Sequence, residues 1–488
     1  MAQTFDERQA SFRRTFDTYD GYGPADATIV VLPSISFADT ELRKITGITY
    51  YEHRLLCLLL LLAEPRRRMV YVTAMPVDAA VLDYYLGLLP DPTDARQRLT
   101  LVTLHDPRPS ALSTKLLASP SVLSQVRAGV DGERAAYLLP FNVTETERSV
   151  ADLLQLPIFG PRPDQAQLGT KSGSRRVARA AGVPVLEGFE NLASTHELDR
   201  AISELVGGDD PPDAVVVKLD HGFSGQGNAI IDCRDFTAPA SGRPTTFCAD
   251  GETWPTYGPK IDAEGAIVER LLTGGLIASP SVQVRIAPNG VHQVVSTHDQ
   301  VLGGQHNQVY LGCRFPAAVE YREEITDLAE RAATHLAQLG VMGTFGMDFF
   351  VQADAFSPQV ALAEINLRLG GTTHPNVMAQ LLTRSAYHPR RGELLDSAGR
   401  PVCYVASDNI KSRRLIGVRP SSVLDALSRS DLLYDSGTGI GATCHLLDAL
   451  PEHGKMGVTC IARTVADADD IYRQVSDVLA NEVAADGS

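Results

Sequence analysis

The chain has 488 residues, 44% of them hydrophobic, with a formal net charge of −15. At about 150 residues per domain this predicts about three domains or one large multi-part enzyme. The charge argues against nucleic-acid or anionic-membrane binding, and seven scattered cysteines without a Cys-x-x-Cys pair argue for free thiols in a reducing compartment rather than a disulfide frame or zinc site.

Residues 1–25 read as a polar arm, and without an apolar core they are not a signal peptide. Strand-like and helix-like runs then alternate: 28–32, 52–63, 69–73, 77–89, 99–104, 136–141 and 145–154. That rhythm predicts an open α/β sheet with parallel strands. The longest apolar run, Leu55 to Ala63, is far short of the ~20 residues needed to span a bilayer and fits a buried helix. No Gly-x-Gly-x-x-Gly follows the first strand, so a dinucleotide fingerprint is missing.

A second unit starts near Leu156. Lys171 lies in Gly169-Thr-Lys-Ser-Gly-Ser, just before a predicted helix, where a capped helix start is the simplest reading. Lys218 ends an apolar strand, 214–219, whose hairpin partner is 229–232. Between them, Gly222, Ser224, Gly225 and Gly227 form a loop whose backbone N–H groups could cradle phosphate oxygens, with Lys218 adding a point charge. A glycine-rich hairpin turn is the alternative. Residues 233–265, rich in Gly, Pro, Ser and Thr and holding Trp254, read as a long lid or binding insertion. The run Ile267-Val-Glu269-Arg-Leu271-Leu reads as a strand leaving it. Edge backbone there could pair with an adenine rim, and Glu269 could accept the exocyclic amine. Arg285, Asp299, Gln305 and Asn307 follow as candidates for a carboxylate pocket. A strong helix is predicted over 320–339, with Ile325, Leu328, Ala332, Leu336 and Leu339 on one face.

The most informative stretch comes next: Gly343-Thr-Phe-Gly-Met-Asp348-Phe-Phe, then Ala363-Glu364-Ile-Asn366-Leu-Arg368. Both read as strands, and alternation puts Glu364, Asn366 and Arg368 on one face. Asp348 lies in an apolar run, and a buried carboxylate needs a partner. If Asp348 opposes Glu364 in a hairpin, the turn centres on Phe356 in a polar, proline-bearing segment. The two carboxylates are then roughly 5 Å apart. All-oxygen donors suit a hard cation such as Mg²⁺, completed by water and substrate phosphates. From about Val402 a third unit begins, with a basic patch at Lys411, Arg413 and Arg414, a Gly437–Gly441 turn followed by His445, a strand at 457–462 and a helix at 466–479.

The ordered set Lys171, Lys218 with its glycine loop, Glu269, Asp348 and Glu364-x-Asn366-x-Arg368 resembles the ATP-grasp superfamily. The resemblance is closest to the pheganomycin-type peptide ligases and runs from about residue 28 to 480. It implies an ATP-grasp fold preceded by a Rossmann-like pre-ATP-grasp domain: an arm at 1–25, the pre-ATP-grasp domain at 26–160, the ATP-grasp domain at 161–400 with a lid at about 183–270, and a C-terminal module at 401–488. It further implies an ATP-dependent carboxylate–amine ligase working through an acyl phosphate in peptide natural-product assembly. Its cofactors would be ATP and Mg²⁺, with Mn²⁺ as substitute. Asp348, Glu364 and Asn366 would hold the metal. Lys171, Lys218, Gly222, Ser224, Gly225, Gly227, Glu269 and Leu271 would bind nucleotide, and Arg368, Lys218 and Arg285 would serve catalysis. Substrates would be an amino-acid-like carboxylic acid and an amino acid or peptide amine, in a cytoplasmic enzyme free of membrane and nucleic acid, with a homodimer as an option. Other readings are an ATP-grasp enzyme with a thiol or bicarbonate acceptor, and an inactive nucleotide-binding scaffold.

Overall fold

Short β-branched runs near the start assemble side by side. The computed structural model describes residues 3–15, 21–132, 134–222, 227–234, 238–249, 251–272, 276–303, 309–353 and 358–483. Strands Leu99–Thr103, Arg68–Thr73, Thr28–Leu32 and Ala136–Pro140 form, in that order, a four-stranded sheet. Every pairing is parallel, as the alternation of strand and helix demands. Ile48–Ala63 is a 3₁₀-type helix that buries Leu55 to Leu62 against this sheet, and with them the polar Glu52, His53 and Arg54. Among the described residues no helix is long and apolar enough to cross a membrane.

The expected polar arm is instead partly a docked helix, Phe5–Thr15. Phe5 and Phe12 are buried, Gln9 pairs both ways with the backbone of Ile158, and Arg8 forms an ion pair with Asp152. Its charged residues disguise an apolar stripe. The expected 233–265 loop also carries regular structure. Strand Thr245–Phe247 extends a sheet, and helix Trp254–Glu264 opens on a Thr253 capping box with proline in its first turn. Proline is tolerated there because its missing N–H would have no helical partner.

That sheet has five antiparallel strands in the order Gly188–Leu192, Ala266–Arg270, Ala214–Leu219, Asn228–Asp232 and Thr245–Phe247. A larger, 11-stranded antiparallel sheet runs from Leu276–Ala278 to Ala386–His388 and takes in Gly343–Gln352 and Gln359–Asn366. Pro401–Lys411, Gly441–His445 and Lys455–Ala462 belong to this same sheet. Helix Val319–Gln338 packs Ile325, Leu328, Ala332 and Leu336 on it, whereas Leu339 lies past the helix end and is exposed.

Candidate active site

The hairpin forms in the expected register: Asp348 opposes Glu364 and Gly346 opposes Asn366. Its turn lies outside the described residues. The strand carrying Asp348 is two-faced rather than buried throughout. Phe345, Met347, Phe349 and Val351 enter the core, while Thr344, Gly346, Asp348 and Phe350 line the other side. Each buried side chain contributes about 1.5–3 kcal/mol, so a one-residue slip of the pairing is strongly opposed.

The partner strand contains a device that the alternation rule does not foresee. Val360 and Leu362 are buried, and strict alternation would send Glu364 inward as well. The register shifts between Asp348 and Phe349, so that Phe349 opposes Leu362 and Ala363 is an extra residue. Past this bulge Ile365 turns inward and Glu364 and Asn366 turn toward Asp348. Bulges commonly re-aim side chains beside active sites.

A polar network ties the acids together. Asn366 Nδ2 donates to Asp348 Oδ2 at 3.0 Å and to Glu364 Oε1 at 2.9 Å. Gln300 Nε2 donates to Asp348 Oδ1 at 3.0 Å, and Arg368 Nη2 to Asn366 Oδ1 at 3.0 Å. Lys171 forms an ion pair with Glu364. Burial pushes the Asp348 carboxyl above its ordinary value, against the pull of Ser281, Lys171, Arg368 and Gln300. Burial, helped by Lys218, lowers Lys171 to about 8, and burial lowers Arg368 to about 10 although Asp348 opposes it.

Lys171 is the first residue of helix Lys171–Ala180, and Thr170 caps it by accepting from the Gly173 N–H at 2.9 Å. Gly173 is required by packing, because a Cβ there would meet Gln167 O at 1.9 Å. The helix start joins both sheets. Ser172 N–H donates to Asp220 Oδ1 at 2.6 Å, and Ser174 Oγ accepts from Ile365 N–H at 2.9 Å. Lys218 projects from the five-stranded sheet over the Phe350 ring, 5.1 Å from its centroid, and pairs with Glu269. Lys171, Lys218, Asp348, Glu364, Asn366 and Arg368 therefore gather at the seam of the two sheets.

Other expectations need correction. The strand bearing Glu269 is not an edge, since it pairs with Gly188–Leu192 on one side and Ala214–Leu219 on the other. Glu269 is buried and pairs with Lys218 and with Arg175, whose Nη1 lies 3.0 Å away. The Leu271 N–H is donated to Ala214 O at 3.1 Å. Asp299 faces away from the acids, accepting from Tyr321 Oη at 2.6 Å and Ala318 N–H at 3.0 Å. Its neighbour Gln300 faces the site instead, as strand alternation requires. Arg175 escaped notice although it sits four residues after Lys171 on the same helix face. Lys411, Arg413 and Arg414 are exposed. Gly222 and Gly227 close the base of the glycine loop: Leu219 N–H donates to Gly227 O, and Gly222 N–H to Leu219 O, both at 3.0 Å. Ser224 and Gly225, like Gln305 and Asn307, lie outside the described residues.

Arg368 and Arg285 line one pocket with Tyr22, Asn142, Gln283 and Asn376. The Arg285 guanidinium lies 4.3 Å from the Tyr22 ring centroid and donates through Nε to Thr344 Oγ1 at 3.1 Å. The pocket begins where the acid hairpin ends, at Thr344 and Arg368.

The L-propargylglycine–L-glutamate ligase of Streptantibioticus cattleyicolor is 32% identical over 465 residues, spanning 93% of this chain and 94% of that enzyme. The chain belongs to that ligase's family, the ATP-grasp ligases of the pheganomycin type. As a member it is an ATP-dependent carboxylate–amine ligase, and ATP and Mg²⁺ are the usual cofactors of the family. A family model described as "IQCH-like, ATP-grasp" matches residues 246–387, and "PGM1 C-terminal domain" matches 422–475. The IQ motif-containing protein H of Danio rerio is 22% identical across 76% of the ligase, which spans 40% of that protein. Among solved structures, a biotin carboxylase from Campylobacter jejuni superposes with a TM-score of 0.56 at 14% identity, covering 93% of the ligase and 91% of the carboxylase. An N5-carboxyaminoimidazole ribonucleotide synthetase gives 0.52 at 13% identity, with 94% and 98% covered. These two show the ATP-grasp fold.

Proposed function

We propose that the ligase joins an amino-acid-like carboxylic acid to an amino acid or peptide amine through an acyl phosphate, releasing ADP and phosphate. The observation that carries this reading is the convergence of three acceptor side chains and two lysines at the sheet seam, directly beside an arginine-lined pocket. A free carboxylate is a poor electrophile, and phosphorylation supplies a leaving group. One carboxylate oxygen attacks the γ-phosphorus, the bond to the ADP oxygen breaks, and the amine nitrogen then displaces phosphate at the acyl carbon and loses a proton.

Asp348, Glu364 and Asn366 would hold Mg²⁺, or Mn²⁺ in its place. The donor set fits: two opposed carboxylates are hard oxygen ligands, and their repulsion is met here by the amides of Asn366 and Gln300 and the ammonium of Lys171. Asn366 presents Nδ2 to both acids, so a half-turn of its amide would offer oxygen. When bound, the ion supplies charge neutralisation for phosphoryl transfer. Lys171 and Lys218 would contact nucleotide phosphates. Glu269 holds Lys218 in place, and the Gly222–Gly227 turn would cover the phosphates. Arg368 would meet the transferred phosphoryl group and Arg285 the donor carboxylate, where a planar fork fits two oxygens.

The relative's substrates support amino acids on both sides of the new bond. The proposed organisation is a pre-ATP-grasp domain at 26–160, an ATP-grasp domain at 161–400 with its lid at about 183–270, and a C-terminal module from 401. Seven unpaired cysteines favour a cytoplasmic setting. The deciding experiment screens amino acids for ADP release with hydroxylamine present. A hydroxamate with ADP and phosphate is expected, and AMP with pyrophosphate would overturn the acyl phosphate.

A further inference from the structure

A second cluster of chemistry-bearing side chains lies outside the seam. His374 stands in the first turn of helix Thr373–Thr383, six residues past Arg368. Asp408 lies on strand Pro401–Lys411, and His445 ends strand Gly441–His445. All three are at most 5% exposed. Their inner atoms converge: His374 Nε2 is 3.0 Å from His445 Nε2 and 3.1 Å from Asp408 Oδ1, and His445 Nε2 is 2.7 Å from that same oxygen.

Hydrogen bonding alone leaves this triangle crowded. If both Nε2 atoms carry hydrogen, both must donate to the single oxygen Asp408 Oδ1, with the two nitrogens crowded to 3.0 Å. If one is bare, its lone pair faces an anionic oxygen. His374 Nδ1 has no hydrogen-bond partner, so only the Nε2 side orients that ring. A cation held above the triangle lets all three lone pairs point at one centre. Tetrahedral zinc, bonded at about 2.0–2.2 Å, sets its ligands about 3.3 Å apart. The observed triangle is slightly tighter, and such an ion would lie about 1 Å out of its plane.

The surroundings suit a ligand set. Arg54 Nη1 binds the other oxygen of Asp408 at 2.9 Å, which leaves Oδ1 aimed at the imidazoles. Metal-ligating carboxylates are typically held in this way by an outer partner. Gly457 opposes His445 on the next strand, where a Cβ would fall 2.0 Å from Nε2. Glycine therefore keeps open the room that the ring nitrogen uses.

We infer that His374, Asp408 and His445 form a binding site for one first-row divalent metal ion, Zn²⁺ above all, separate from the proposed Mg²⁺ at Asp348 and Glu364. Two imidazoles and one carboxylate are borderline donors that suit Zn²⁺ and its neighbours rather than Mg²⁺. The ion fastens three distant segments of the chain. It also fixes the segment that carries Arg368, because Arg54 and Arg368 both lie over the Phe141 ring, at 5.5 and 5.9 Å.

The test is elemental analysis of tag-free, full-length protein, purified in Mg²⁺ buffer without chelator and then loaded with Zn²⁺ or Co²⁺. About one equivalent of a first-row metal per chain is expected, with a Co²⁺ visible spectrum, and a chelator should lower the Tm. His445→Gln and Asp408→Asn should lose the metal at least tenfold, whereas Glu364→Gln should keep it. Less than about 0.1 equivalent in the loaded wild type overturns the proposal. Full occupancy in a His374→Gln/His445→Gln double variant overturns it equally. The wild-type measurement decides even if a variant fails to fold.

Discussion

The two sheets that meet at the candidate site contribute opposite charges on different foundations. The 11-stranded sheet supplies the acids on a hairpin whose other face is locked into an apolar core. The five-stranded sheet supplies Lys218, whose head is held by Glu269 and, behind it, Arg175. The acids are thus positioned by packing, and this lysine by an ion-pair chain. Packing resists small changes, whereas an ion pair broken on one side leaves a buried charge without compensation.

The sharpest break in that comparison is Glu364→Gln. It removes one acid without altering shape, so the fold should persist by circular dichroism while turnover falls by roughly 10²–10³-fold or more. Wild-type rates would remove the proposed metal role. On the other sheet, Lys218→Met should weaken ATP affinity roughly 10–100-fold, about 1.4–2.7 kcal/mol, in calorimetric titration. It should also lower the Tm, because Glu269 would keep only Arg175. Unchanged affinity would count against phosphate contact. Arg285→Ala should raise KM for the donor carboxylate about tenfold or more and leave ATP affinity within about twofold. A change in ATP affinity alone would move Arg285 out of the donor pocket.

Lys171 gives a smaller and subtler effect. Its folded-state pKa is about 8, below the ordinary lysine value. In the free enzyme kcat/KM should therefore fall as pH rises through about 8, and Lys171→Arg should flatten that limb. Stability should move the other way. Between about 8 and the ordinary value near 10.4, the unfolded chain holds a proton that the fold has released, so this residue's contribution rises with pH. A Tm and a rate that decline together over this window would contradict the assignment.

These contrasts also explain what the sequence made legible. Asp348 and Glu364 could be paired because antiparallel partners share a constant sum and because two acids in apolar runs need a reason. The parallel sheet followed from the alternation of elements. Helix Trp254–Glu264 stayed hidden because Pro255 and Pro259 read as breakers, although the first occupies the one turn where it costs nothing. Asp299 looked like a site residue and Gln300 did not. Charge drew attention where strand parity decides, and parity relative to Asp348 becomes visible only once the strands are placed. The strand of Glu269 reads as an edge in the sequence because strand order within a sheet is not written in local pattern. His374, Asp408 and His445 span 71 residues and three elements, so they form no motif at all.

Ala363 has a consequence beyond aiming one carboxylate. It is the position where a single strand changes allegiance, with the core owning the even-numbered side chains before it and the site owning them after it. The identity of Ala363 matters little, but its exclusion from the pairing decides which face Glu364 takes. Deleting it would close the bulge and leave Glu364 facing Asp348 and Ile365 in the core, whereas pairing it into the ladder would send Glu364 into the apolar interior and Ile365 toward the site. The chemistry of the hairpin is therefore protected by the register of its pairing as much as by residue type, because the same residues paired one place along would exchange the faces of Glu364 and Ile365.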